Sequence, residues 1–222
     1  METTPTRYNQ YLLIHNISKP KNYGMLLRSA AAFDVRKIFL VSKNFEEKRK
    51  SKIFRDFNLF FGDKGTSRKL EYEVFGSIRQ AKDYFVANNI RVCGVEITQD
   101  SKSVNSQPFY GDTVFVLGNE GEGLIDALKN ICDQFVYIPQ YTDKTASLNV
   151  AVAGSIIFHG FAVWANYKEA PIFGEKFQNL EAPTKTTYLH FKIHESDQPI
   201  TQETIKDDDS SGNEVGSDVI KE

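Results

Sequence analysis

Phe115-Val-Leu-Gly-Asn-Glu-Gly-Glu-Gly-Leu124 is the stretch that decides how this 222-residue chain is built. An apolar run over Val114 to Leu117 stops abruptly at Gly118. Three glycines in six positions then leave main-chain N–H groups bare before a helix begins near Leu124. A buried strand that feeds a helix through a glycine turn is the signature of an α/β sheet, and such sheets place ligands at this kind of junction. The turn lacks the Gly-Lys-Ser/Thr of a phosphate loop, and Gly118, Gly121 and Gly123 do not have the dinucleotide spacing. Glu120 and Glu122 would repel a phosphate. They suit a ligand with a positive centre, or a partner arginine.

Working outward, strands and helices alternate. Strands are predicted at 11–15, 37–41, 91–97, 114–117 and 134–138. Helices are predicted at 23–33 with Asn22 as N-cap, at 77–88, at 124–130, and from Ser147, read as its cap, to Ala165. The fold class is therefore α/β, a mostly parallel sheet with helices on both faces. Residues 44–58 are highly charged, and 62–68 read as a turn-rich loop. The principal domain is expected over 1–174. Residues 175–222 form an acidic extension, disordered at least from 203, although 186–193 can pack on the body as a strand.

The formal net charge of −2 hides an asymmetry. Residues 195–222 carry nine acidic and two basic side chains, net −7, leaving +5 on the rest. A mildly basic body suits a polyanionic partner. Cys93 and Cys132 lie in apolar runs and read as buried thiols of an intracellular protein rather than a disulfide framework. Two cysteines and four histidines make no metal-ligand spacing, so no metal is expected. Met1 to Asn9 is polar, which predicts no signal peptide and no secretion. The apolar run Leu148 to Ala165 contains Asn149, Ser155 and His159, and reads as a buried helix rather than a membrane span.

Two further segments carry polar groups at element ends. In Asn22-Tyr-Gly-Met-Leu-Leu-Arg28, Leu26, Ala30 and Phe33 form an apolar stripe at helical spacing. Arg28 faces away from it, beside Gly24, Ala31 and Ala32. A backbone, subunit or ligand could approach that smooth face closely. In Ile138-Pro139 followed by Ser147-Leu-Asn-Val-Ala-Val-Ala-Gly154, the proline ends a strand. Asn149 then opens an otherwise apolar helix, where a buried amide needs a partner.

Together, Asn-x-Gly-x-x-x-Arg on an early helix, Leu-Gly-x-Glu-x-x-Gly-Leu after a strand, and Ile-Pro with Ser-Leu-Asn-Val opening the last helix resemble the three motifs of the SpoU (TrmH-type) RNA ribose methyltransferases. The resemblance covers about residues 11–164. It implies the SPOUT fold, whose C-terminal part is threaded into a trefoil knot, an exception to the unknotted rule. It implies S-adenosyl-L-methionine as cofactor, RNA as substrate and a homodimer whose site uses both subunits. By the same resemblance Arg28, Asn22, Glu120 and Asn149 form the catalytic cluster. Leu117, Gly118, Asn119, Gly121, Gly123, Ile138, Gln140, Ser147, Leu148 and Asn149 contact the cofactor. The loop after Pro139 lacks the glycine usual in this family. Transfer RNA is the expected substrate, with ribosomal RNA and a catalytically silent RNA-binding dimer as alternatives. RNA recognition falls to the body, for instance the basic stretch Lys48 to Arg55, or to an accessory protein. The cytoplasm is the expected location, with nucleus or nucleolus as alternatives.

Overall fold

The structure is a computed structural model and describes residues 7–15, 20–43, 66–118, 123–177 and 191–194. The expectations for 44–58, 62–65, Asn119, Glu120, Gly121, 186–190 and the acidic tail lie outside these residues.

Among the described residues, eight strands form one sheet in the order β10-β3-β2-β1-β6-β4-β7-β5, with every pairing parallel. The strands are β1 (Gln10–Ile14), β2 (Lys37–Val41), β3 (Tyr72–Phe75), β4 (Arg91–Val95), β5 (Lys102–Ser103), β6 (Thr113–Leu117), β7 (Gln134–Tyr137) and β10 (Phe191–Ile193). A separate hairpin joins β8 (Ile172–Phe173) to β9 (Lys176–Phe177). The chain lays down β1, β2 and β3 in one direction. It then crosses over and inserts β6 between β1 and β4, and β7 between β4 and β5. The carboxyl ends of β1, β6, β4 and β7 therefore share one rim, at the point where the order reverses.

Among the described residues, two helices cover each face. On one face α1 (Pro20–Ala32) and α4 (Val150–Trp164) pack over Leu12, Ile14, Phe115, Leu117 and Val136. On the other α2 (Ile78–Ala87) and α3 (Asp126–Lys129) cover Leu13, Phe39, Phe75, Val114 and Val116. The alternation of strand residues between these two cores is the period-two pattern that a doubly covered sheet requires. Gly154 lets α1 and α4 close on each other, because a Cβ there would run into Leu26 Cδ1 and sit 3.2 Å from Leu117 Cδ1.

The α/β class stands, and several boundaries are corrected. Helix α1 starts at Pro20, a residue whose fixed φ suits the first turn. Asn22 is thus inside the helix and buried, not its cap. The cap of α4 is Asn149 rather than Ser147; its side-chain oxygen accepts from the Ala151 N–H at 2.9 Å. Strand β3 has no counterpart in the sequence reading. Its Glu73 is fully buried, among Lys37 Nζ at 2.8 Å, His194 Nε2 at 2.6 Å and Lys192 Nζ at 3.2 Å. Burial pushes the Glu73 carboxyl up, but hydrogen bonds from Lys37, His194 and Lys192 outweigh it and hold the pKa at about 2. Two of the three come from β10 and the residue after it, so this carboxylate pins the C-terminal strand to the sheet edge.

Both cysteines are free thiols, Cys93 buried and Cys132 partly so. Burial raises the pKa of each, that of Cys132 to about 12, so both stay protonated and unreactive near neutral pH.

Candidate active site on the strand-end rim

The N-termini of α1 and α4 meet above the carboxyl ends of β1 and β6, and a polar bond joins them. The Asn149 side-chain N–H donates to Asn22 Oδ1 across 3.0 Å, while its oxygen caps α4. Both halves of the Asn149 amide are thereby used, and residues 127 positions apart are fixed together. Asn149 is exposed overall, where the sequence predicted a buried amide; the buried partner is Asn22. About two turns further along, the Ser155 and Ser29 hydroxyls stand 2.7 Å apart, a second polar link between the two helices.

Arg28 is exposed on the groove between these helices. The groove has a volume of about 170 Å³ and is lined by Met25, Arg28, Ser29, Ala151, Val152 and Ser155. The small residues Ser29, Ala151 and Ser155 leave the guanidinium room to reach a ligand or a neighbouring chain. Gly24, Ala31 and Ala32, the smooth face expected around Arg28, are not among these lining residues; the far wall is α4. His15 follows β1 on the same rim. Burial lowers its pKa, which makes it a neutral imidazole at neutral pH.

The glycine turn leaves β6 beside this pair. Gly118 presses against the returning chain: a Cβ on it would lie 2.6 Å from the Gly123 carbonyl carbon and 2.9 Å from the Leu124 nitrogen. Gly123 has φ +69°, a left-handed conformation that favours glycine. Main chain thus packs on main chain at the neck of the loop. Glu96, the residue after β4, closes that neck. Its Oε2 accepts from the Leu124 N–H at 3.0 Å, and its Oε1 from the Ile97 N–H at 3.2 Å. The sequence reading, which ran this strand from 91 to 97, placed Glu96 inside it and gave it no role; the strand ends at Val95.

The other wall is the loop from Ile138 to Asn149. Ile138, Pro139 and Gln140 are partly buried, and residues 141–149 are exposed. Within it Thr145 Oγ1 donates to the Ser147 carbonyl at 2.9 Å. Tyr141, 88% exposed, accepts on its hydroxyl from Asn105 Nδ2 at 3.3 Å. The structure joins Asn22 to Asn149 and packs Gly118 against Gly123; Leu117 ends β6, Ile138, Gln140, Ser147 and Leu148 lie on the loop from β7 to α4, and Arg28 stands further along α1 on the groove with α4. Asn119, Glu120 and Gly121 belong to the loop between Gly118 and Gly123, outside the described residues.

Converging loops at the switch point of a parallel sheet define an α/β ligand-binding domain. Residues 9–159 match the model of the SpoU rRNA Methylase family, more than half of the chain. The chain belongs to that family. It is 27% identical over 186 residues to human mitochondrial rRNA methyltransferase 1, covering 78% of this chain and 50% of that protein. The fold is shared with the SpoU methyltransferase AviRb of Streptomyces viridochromogenes, solved in complex with AdoMet, at a TM-score of 0.60. Identity is 21%, over 75% of this chain and 61% of that one. It is shared also with a TrmH/SpoU tRNA modifying enzyme of A. aeolicus, at a TM-score of 0.58 and 22% identity, over 72% and 76% of the two chains. The chain spans about half the length of the curated relatives it matches, 43% and 50% for two of them.

Proposed function

We propose that this protein is an S-adenosylmethionine-dependent RNA methyltransferase that methylates a ribose 2′-hydroxyl, with transfer RNA as its substrate. The observation that supports the reading is the Asn149–Asn22 bond, which joins residues of two separate motifs on the two helices whose groove carries Arg28. Family membership supports the reaction class, and the AdoMet complex of AviRb supports the cofactor.

The residues present fit that cofactor. Glycine at 118 and 123 lets the two ends of the loop close on each other, with no side chain between them. Leu117, Gly118, Asn119, Gly121 and Gly123 would hold it from one side; Ile138, Gln140, Ser147, Leu148 and Asn149 would hold it from the other. When bound, the cofactor supplies a methyl group on a positively charged sulfur that departs as a neutral thioether.

The protein's own task is to present the hydroxyl in line and to manage its proton. Arg28 orients the ribose and its adjacent phosphate with a planar fork of donors, and stabilises negative charge as it develops on the oxygen. A guanidinium with a pKa above about 12 does not serve as a base, so the proton passes to an RNA phosphate oxygen. Glu120 holds the polar edge of the site. Asn22 and Asn149 fix the two helix ends that aim Arg28.

A homodimer belongs to the same proposal, with Arg28 acting across the interface. Met25, Val152, Ile156 and Val163 are exposed apolar side chains on α1 and α4, on the face that carries Arg28, and a second copy would bury them. Threading of the C-terminal part into a trefoil knot is proposed too; the insertion of β6 and β7 between earlier strands supports it. We place the protein in the cytoplasm, with RNA recognised by its basic body or through an accessory protein.

Incubation with transfer RNA and a methyl-labelled donor, followed by nucleoside analysis, tests the proposal. A 2′-O-methylnucleoside is expected. Label on a base would mean another reaction, label only on ribosomal RNA another substrate, and RNA retention without label a silent binder.

A further inference from the structure

We infer that Tyr141 is a stacking residue for an unpaired nucleobase of the substrate. The inference rests on the reading of RNA as that substrate.

Tyr141 lies on the loop from β7 to α4, between Gln140 and the Ser147–Asn149 segment. At 88% it is the most exposed of the large hydrophobic side chains among the described residues. The other exposed tyrosines have partners for their rings. Tyr8 stacks on Trp164 at 5.3 Å, and the Arg91 guanidinium sits 5.3 Å over the Tyr110 ring. Among the described residues no ring or cation packs on Tyr141, yet its hydroxyl is held by Asn105 Nδ2 at 3.3 Å. Asn105 is fixed in turn, since its N–H donates to the Ser103 hydroxyl at 3.2 Å in the short turn Val104–Ser106. That turn follows β5, and its Val104 is buried against α4, where a Cβ on Gly160 would lie 3.1 Å from Val104 Cγ2. A ring tethered by its polar end, with its faces left to solvent, is a preorganised stacking surface.

The charges of the loop favour stacking over phosphate attraction. Residues 138–149 carry one acid, Asp143, and one base, Lys144, which cancel. A small cofactor in a cleft has most of its surface enclosed, whereas this ring stands in solvent and suits a larger ligand. In paired RNA each base is covered by its neighbours; unpaired bases can be splayed out onto aromatic side chains. Tyr141 therefore selects a loop or a single-stranded end of the substrate.

Truncating a ring that stacks on one base should weaken RNA binding by about tenfold. Tyr141→Phe and Tyr141→Trp keep a planar face and should stay within about threefold of wild type. A fully paired RNA duplex offers no free base, so Tyr141→Ala should bind it as the wild type does.

The test is equilibrium binding of transfer RNA and of an RNA duplex to the full chain and these variants, with calorimetric titration of S-adenosylhomocysteine. Loss confined to Tyr141→Ala and to transfer RNA, with donor affinity unchanged, supports stacking. Transfer RNA binding by Tyr141→Ala equal to wild type overturns it, as does equal weakness of all three variants. Weaker donor binding by Tyr141→Ala assigns the ring to the cofactor and overturns it too. Absence of transfer RNA binding by the wild type contradicts the proposed substrate, and the inference falls with it. Should Tyr141→Ala not fold, the fluorescence of Tyr141→Trp decides alone: quenching by transfer RNA beyond that of wild-type Trp164 is expected, and no added quenching overturns stacking.

Discussion

The Asn149 amide donates to Asn22 Oδ1 across 3.0 Å while its oxygen caps α4, so one side chain sets both the start of the last helix and its junction with the first. Asn149→Ala loses the cap and the junction together. It should cost about 1–2 kcal/mol of stability and lower turnover far more than that loss explains. Asn149→Asp keeps a capping oxygen but sets a carboxylate against Asn22 Oδ1. Its stability should stay nearer to wild type while activity drops. Urea melts beside initial rates check both; an active Asn149→Asp would remove the junction from the mechanism.

Arg28 makes no contribution to the core, since it stands exposed on the groove between α1 and α4. Arg28→Ala should therefore leave the urea midpoint and the donor affinity close to wild type. Methyl transfer should fall by about a hundredfold or more, the scale on which lost charge stabilisation acts. Arg28→Lys keeps the charge without the planar fork and should recover little activity. Single-turnover rates with saturating donor measure the difference. Full activity in Arg28→Ala would exclude it from the reaction.

The exposed apolar residues of α4 lead to a prediction about assembly. Ile156→Glu places a charge in the middle of the face proposed to be covered by a second copy. Sedimentation should show a shift from dimer to monomer, with the secondary structure retained and methyl transfer lost. A dimer that survives the change would move the interface elsewhere.

Glu73 gives the pH dependence of folding. Its carboxyl titrates near 2 in the folded protein, below the ordinary glutamate value of about 4.3. A depressed folded value means that the contribution to stability is complete above the unfolded value. It is lost as pH falls from about 4.3 through 2. Glu73→Gln should cost about 1–3 kcal/mol at neutral pH and flatten stability against pH between about 5 and 2. It should also loosen β10, because Lys192 and His194 lose their shared partner. Thermal melts across that range, with limited proteolysis near β10 as a second reading, test both effects.

Periodicity made the α/β class legible, because apolar runs such as 114–117 and 134–138 alternate with helical stripes. What stayed hidden depends on partners far away in sequence. Tyr-Glu-Val-Phe over 72–75 does not read as a strand, since Glu73 interrupts a four-residue run. That glutamate is buried only because Lys37 and the distant Lys192 and His194 surround it. Strand β5 has two residues and no local signal. Asn22 looked like a cap because asparagine before an apolar stripe usually is one; the proline two residues earlier had already begun the helix. Glu96 became visible only when the sheet order set β4 between β6 and β7.

The central claim is that the rim built from Asn22, Arg28, Gly118 and Asn149 places a methyl group on a ribose oxygen of RNA. Its most direct test is a transcriptome-wide map of 2′-O-methyl positions in cells lacking the protein and in the same cells given back the wild-type chain or Arg28→Ala. The account predicts that a ribose methyl on transfer RNA disappears, returns with the wild type, and stays absent with Arg28→Ala. An unchanged map, or restoration by Arg28→Ala, would contradict it.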